Sequence, residues 1–95
     1  MTIRLSENFR ALFYAPFYAT QATGAFEAAG VEVAMVPSPS PGAAVAVLRA
    51  GEVDVMWGGP LRVMMLHDAE PACDLVCFCD VVARDPFFII GARPR

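Results

Sequence analysis

Three apolar runs, residues 3–5, 31–36 and 53–57, each give way to small or polar residues and then to apolar positions at helical spacing. This alternation constrains the fold more than any other feature. The second and third runs are nearly continuous in apolar residues, as expected of strands in a parallel sheet that helical crossovers cover on both faces. Ile3 and Leu5 alternate with Arg4 and Ser6 in a short first strand, and residues 15–24 read as a helix with Pro16 in its first turn and Gly24 as its stop. A further turn ends at Gly30, and Pro37 closes the second strand. Ser40 suits the N-cap of a second helix that opens at Pro41, runs through Ala43, Val47 and Leu48, and stops at Gly51. The third strand precedes a third helix that opens at Pro60, carries Leu61, Met64 and Met65 at helical spacing, and is closed by Pro71. Residues 73–82 read as a fourth strand and, after the Asp85-Pro86 break, residues 87–92 as a fifth. The expected class is α/β, a three-layer parallel sheet with a mixed edge.

Composition bears on how such a sheet is covered. A chain of 95 residues makes one domain at most and buries only about two-thirds of its unfolded surface. Yet 57% of the residues are hydrophobic, and the mean hydropathy is +0.50. A second covering surface is therefore expected: more chain, an oligomer partner or a membrane. The membrane is the weakest of these, since no apolar run reaches the roughly 18 residues of a spanning helix. Nucleic acid is not an expected partner, because the net charge is -3 and the arginines are scattered. The N-terminus lacks the charged and apolar regions of a secretory signal, which implies a cytoplasmic protein if it is native and a periplasmic one if a signal was removed. Cys73, Cys77 and Cys79 are odd in number and suit a reducing compartment.

Ligands of doubly wound sheets sit at the carboxyl ends of strands where the strand order reverses. If the first strand lies between the second and third, Asn8, Phe9, Ser38, Ser40, Trp57, Gly58 and Gly59 share one rim. Unpaired amides at helix N-termini attract negative charge, so the turns at 38–42 and 58–60 read as anion cradles. Each residue also has a plainer reading. Ser38 and Ser40 suit a Pro-rich turn with a cap, Gly58 and Gly59 a tight turn, and Trp57 a core ring as readily as a stacking platform. Arg84 either reaches a carboxylate or sulfonate or pairs with Asp85 at the surface. Three strand cysteines without a fourth ligand nearby make a weak zinc site, and the lone His67 has no nucleophile with which to form a triad.

Pro16-x-Tyr18-Ala19, Gly24-x-Phe26, Gly30-Val31-x-Val33 and Gly51-Glu52-Val53-Asp54-Val55 together carry a family resemblance. The chain resembles the type II periplasmic-binding-protein fold of the nitrate, sulfonate and taurine solute-binding proteins, whose pattern the thiamine-pyrimidine precursor synthesis proteins share. The resemblance implies a two-lobed clamp that closes on a small solute. The chain is then one incomplete lobe, residues 1–95 forming most of lobe one, with a second lobe or an oligomer partner completing the cleft. It further implies a solute-binding protein of the ABC-transporter kind, acting with a permease and without a cofactor. Its ligand would be a small organic anion or heteroaromatic such as sulfonate, nitrate or pyrimidine. The enzyme alternative is a cytoplasmic biosynthetic relative, for which this stretch offers little acid–base equipment.

Overall fold

The computed structural model describes residues 1–40, 42–84 and 90–92. Strand β1 (Thr2–Glu7) lies at the centre of a three-stranded sheet, between β2 (Glu32–Pro37) and β3 (Val55–Met56). Both pairings are parallel: Leu5 stands opposite Met35 and Val55, and Ser6 opposite Val36 and Met56. The first strand is therefore central, the condition under which the strand ends share one rim. Helices α1 (Ala15–Ala22) and α2 (Ala25–Ala28) link β1 to β2, α3 (Ala44–Arg49) links β2 to β3, and α4 (Pro60–Ala69) follows β3. A short 3-10 turn, Leu12–Tyr14, leads into α1.

Successive strand residues point to opposite faces, which places the helices on two sides. Ile3, Leu5 and Val33 face Phe17 of α1 and Phe26 of α2 across an apolar cavity. Ser6 and Val36 line a smaller cavity with Val47 of α3 on the other face. The result is a helix–sheet–helix sandwich, with Leu5, Ala44, Val53 and Trp57 buried among the described residues.

Two glycines end their helices as the sequence implied. Gly30 and Gly51 take φ of +73° and +74°. In each case the residue after the glycine turns its amide back, Val31 to the Phe26 carbonyl at 2.9 Å and Glu52 to the Val47 carbonyl at 3.0 Å. This is the Schellman closure, and its left-handed residue favours glycine. At the amino-terminal edge of the sheet Arg4 clamps Asp54 with two side-chain bonds of 2.8 and 3.0 Å, and its backbone amide donates a third of 2.8 Å.

Three expectations change. Helix α3 begins at Ala44, with Ala43 at its cap and no side-chain cap bond, so Ser40 does not cap it, and the opening expected at Pro41 lies outside the described residues. Instead the Ser40 carbonyl accepts the Ala43 amide at 3.0 Å, closing a separate turn ahead of the helix. Residues 73–82 form no strand. β3 presents only two paired residues, too short an edge to recruit them, and a strand without a paired neighbour leaves its backbone groups to water. Of the fifth strand expected at residues 87–92, residues 87–89 lie outside the described residues, and Ile90, Gly91 and Ala92 carry no strand geometry.

The covering of the sheet is incomplete. An apolar cavity of about 570 Å3 lies between the sheet and α1–α2, lined by Leu5, Phe17, Phe26, Val33, Val55 and Phe78. On α4, Leu61, Met64 and Met65 are 63%, 64% and 64% exposed. The radius of gyration is 15.6 Å, against roughly 12–13 Å for a compact domain of this length.

Candidate functional site at the carboxyl end of β1

Because β1 is central, its carboxyl end is flanked on both sides. The Ser38 amide donates to the Glu7 carbonyl at 2.9 Å, and the Trp57 amide reaches the Ser6 carbonyl at 3.5 Å. Three strand ends thus converge on Ser6, Glu7 and Asn8, which are buried although polar, at 0%, 6% and 4% exposure. A buried polar side chain is costly unless it is bonded. Glu7 is bonded: its carboxylate accepts the Tyr18 hydroxyl at 2.7 Å and two Arg10 donors at 3.1 and 3.2 Å. Ser6 Oγ, Asn8 Oδ1 and Trp57 Nε1 have no hydrogen-bond partner among the described residues.

Charge follows from those contacts. The Arg10 hydrogen bonds hold the Glu7 carboxyl below its ordinary range, with the Tyr18 bond adding to them against the opposing effect of burial. Burial raises the Tyr18 phenol, and its bond to Glu7 raises it further. Glu7 is therefore an anion at neutral pH and Tyr18 a neutral donor. The Arg10 guanidinium lies 5.1 Å from the Tyr18 ring centroid, within the range of a cation–π contact.

Rings close the other side. Trp57 stacks on Phe17 at 4.2 Å and 15°, and Tyr14 and Tyr18 approach it at 5.2 and 6.3 Å. Phe9 stands edge-on to Tyr14 at 5.5 Å and is itself 38% exposed. α1 can present Phe17 and Tyr18 here because the turn at Leu12–Tyr14 brings the chain back over the strand end.

The rim inferred from sequence takes this form. Asn8 and Trp57 are buried at the strand ends, and Phe9 is at their surface. The Ser38 hydroxyl donates to the Ser40 carbonyl at 2.6 Å, so it is committed within its own turn, and Ser40 is exposed. Gly58 and Gly59 are exposed in the turn before α4, Gly59 being its extended N-cap and Pro60 its first residue. A Cβ on Gly58 would come within 3.0 Å of Met56 Cε. Arg84 is exposed on the irregular segment after α4, and among the described residues no bond to the strand ends reaches it.

Sequence reasoning passed over Glu7, Arg10 and Tyr18. A signal existed: an acidic residue directly after the first apolar strand, with an arginine three positions on. The Tyr18 partnership depends on how α1 folds back and had no local mark. Elsewhere, His67 Nε2 lies 2.8 Å from the Leu75 carbonyl, and Cys77 and Cys79 are exposed. The described residues contain no group of three or more metal-capable side chains. The large cavity is lined mainly by apolar side chains, with Thr20 and Asp80 its polar members, and is an unclosed gap between layers, whereas the strand-end rim carries both rings and polar atoms.

A parallel α/β sheet with helices on both faces and polar residues gathered at its strand ends defines part of a periplasmic-binding-protein-like lobe. The chain belongs to the family described as NMT1/THI5 like, whose profile matches residues 13–93. That family covers both solute-binding proteins and THI5 synthesis proteins, in agreement with the resemblance carried by residues 15–57. No curated protein and no solved structure matches the chain. No helix of the described residues is long and apolar enough to cross a membrane.

Proposed function

We propose that the chain forms one wall of a small-molecule-binding cleft, the rim being Asn8, Phe9, Ser38, Trp57, Gly58 and Gly59 together with Glu7 and Tyr18. The observation that carries this reading is the convergence of buried Asn8 and Trp57, each with an unpartnered polar atom, on the end of a central parallel strand. Buried polar atoms are nearly always satisfied, so an orphaned pair at a strand end is a place for ligand contacts. Of the ligand classes implied by the family resemblance, a planar heteroaromatic fits better than sulfonate or nitrate. The rim offers rings and an anionic Glu7, the Ser38 hydroxyl is committed, and α3 begins beyond the Ser40 turn. Ser40 and Arg84 are left as outer contacts.

The exposed Leu61, Met64 and Met65 and the large radius of gyration support a second covering surface, in this reading a second lobe that closes over the rim. A solute-binding protein of this form would hand its ligand to an ABC permease. The test is a thermal-shift screen of the full-length protein against pyrimidines, sulfonates, nitrate and carboxylates. Stabilisation by a heteroaromatic that Trp57→Ala removes supports the reading; the absence of any shift across the panel counts against it.

A further inference from the structure

The strand-end rim already holds a planar cation, one supplied by the chain itself. Arg10 lies against the Tyr18 ring at 5.1 Å and pairs with Glu7 at 3.1 Å. The two partners differ sharply in exposure, since the Arg10 side chain is 77% exposed and that of Glu7 is 6%. An exposed arginine holds a partner only weakly, because solvent screens the pair and ordering its long side chain costs entropy. The buried carboxylate is the opposite case: it needs a cationic or hydrogen-bonding partner continuously. Arg10 therefore behaves as a replaceable plug over a fixed anionic seat, walled by Tyr18 and, one ring further in, Trp57.

We propose that this rim selects a planar cation, an amidinium or a protonated aromatic amine, which displaces Arg10 from Glu7 and lies against the Tyr18 face. The inference rests on the cleft proposed above and deepens it by giving the ligand its charge. Every contact required is one the chain already makes with its own guanidinium. Tyr18 keeps its hydroxyl on Glu7 at 2.7 Å, so one carboxylate oxygen stays tied to α1 while Arg10 leaves. An anionic ligand would meet the Glu7 carboxylate instead.

The test is titration of the full chain with benzamidine, benzamide and benzoate at neutral pH and low salt, followed by emission of Trp57, the single tryptophan. Benzamidine should bind about tenfold or more tighter than benzoate, with benzamide between them, as expected for one charge-assisted hydrogen bond. Arg10→Ala should tighten benzamidine by up to about fivefold, the scale of an exposed ion pair. Glu7→Gln should erase the preference. Benzoate binding as well as benzamidine, or a preference that survives Glu7→Gln, overturns the proposal and leaves the cleft standing. Should Glu7→Gln fail to fold, Arg10→Ala decides alone, and a loss of benzamidine affinity in it overturns the proposal. If none of the three compounds changes Trp57 emission in either the wild type or Arg10→Ala, the cleft reading falls too.

Discussion

Tyr18 donates its hydroxyl to Glu7 Oε1 at 2.7 Å, joining the middle of α1 to the last residue of β1 across eleven positions of sequence. The bond fixes the helix over the strand end and keeps a buried carboxylate satisfied. Tyr18→Phe should therefore cost about 1 kcal/mol in urea denaturation, the usual net value of one hydrogen bond. In a Glu7→Gln background the cost should shrink, because the acceptor is no longer charged. Equal costs in both backgrounds would show that the carboxylate's charge adds nothing to the bond.

Acid should weaken the fold through Asp54 and Glu7, the two carboxylates whose arginine partners hold them below their ordinary range. The Arg4 side chain, with help from the Arg4 backbone amide, lowers Asp54 from 3.8 to about 2. A carboxyl whose folded pKa is depressed contributes stability above its unfolded value and loses that contribution as pH falls through the folded one. The window for Asp54 thus runs from about pH 4 down to about pH 2, and Glu7 acts in the same direction. Asp54→Asn should be less stable than wild type at pH 7, with the gap closing as pH approaches 2. Urea midpoints measured at intervals of pH would check this, and a gap that widens in acid would contradict it.

The ring stack invites a spectroscopic prediction. Phe17 covers one face of Trp57 at 4.2 Å, and Trp57 is 5% exposed. Phe17→Ala should open that face to water, shift the emission to longer wavelength and cost roughly 2 kcal/mol, below the range for a fully buried phenylalanine because Phe17 is half-buried. An unchanged emission maximum would mean the stack is not what shields the indole.

Gly51→Ala isolates backbone strain. Its φ is +74°, and an added Cβ would meet nothing within 4 Å, so the cost is conformational alone. About 1 kcal/mol is expected, with Gly51→Asn milder because asparagine tolerates the left-handed region. A difference scan in calorimetry would read it as a lowered Tm, and a neutral Gly51→Ala would argue that α3 frays before the glycine matters.

These particulars show which parts of the molecule were legible in the sequence. Gly30, Gly51 and Pro60 announced their helix boundaries because the constraint is local: a left-handed φ or a missing N–H belongs to the residue itself. The parallel sheet was legible from its apolar runs, whereas its strand order entered only as a condition that the structure meets. Residues 73–82 misled because strand propensity is local, while a strand exists only when a neighbour offers an edge, and β3 offers two residues. Ser40 misled for a similar reason. It has the chemistry of a cap, but it stands four residues ahead of Ala44, in a turn of its own closed on the Ala43 amide. At the rim, Asn8 and Trp57 could be placed by counting from strand ends, whereas the Glu7–Tyr18 bond required knowing where α1 lies.

The central place of β1 also sets an order in time. Its partners arrive late in synthesis: Glu32, bonded to Thr2, is made 30 residues afterwards, and Asp54, bonded to Arg4, 50 residues afterwards. Contacts this distant close slowly, since a long loop must be ordered before it is rewarded. A nascent chain that has not yet reached Trp57 carries a finished first strand with one edge bare and its acidic end uncovered. The cleft wall thus cannot close until Trp57 has been made, although Glu7, Asn8 and Tyr18 are translated well before it.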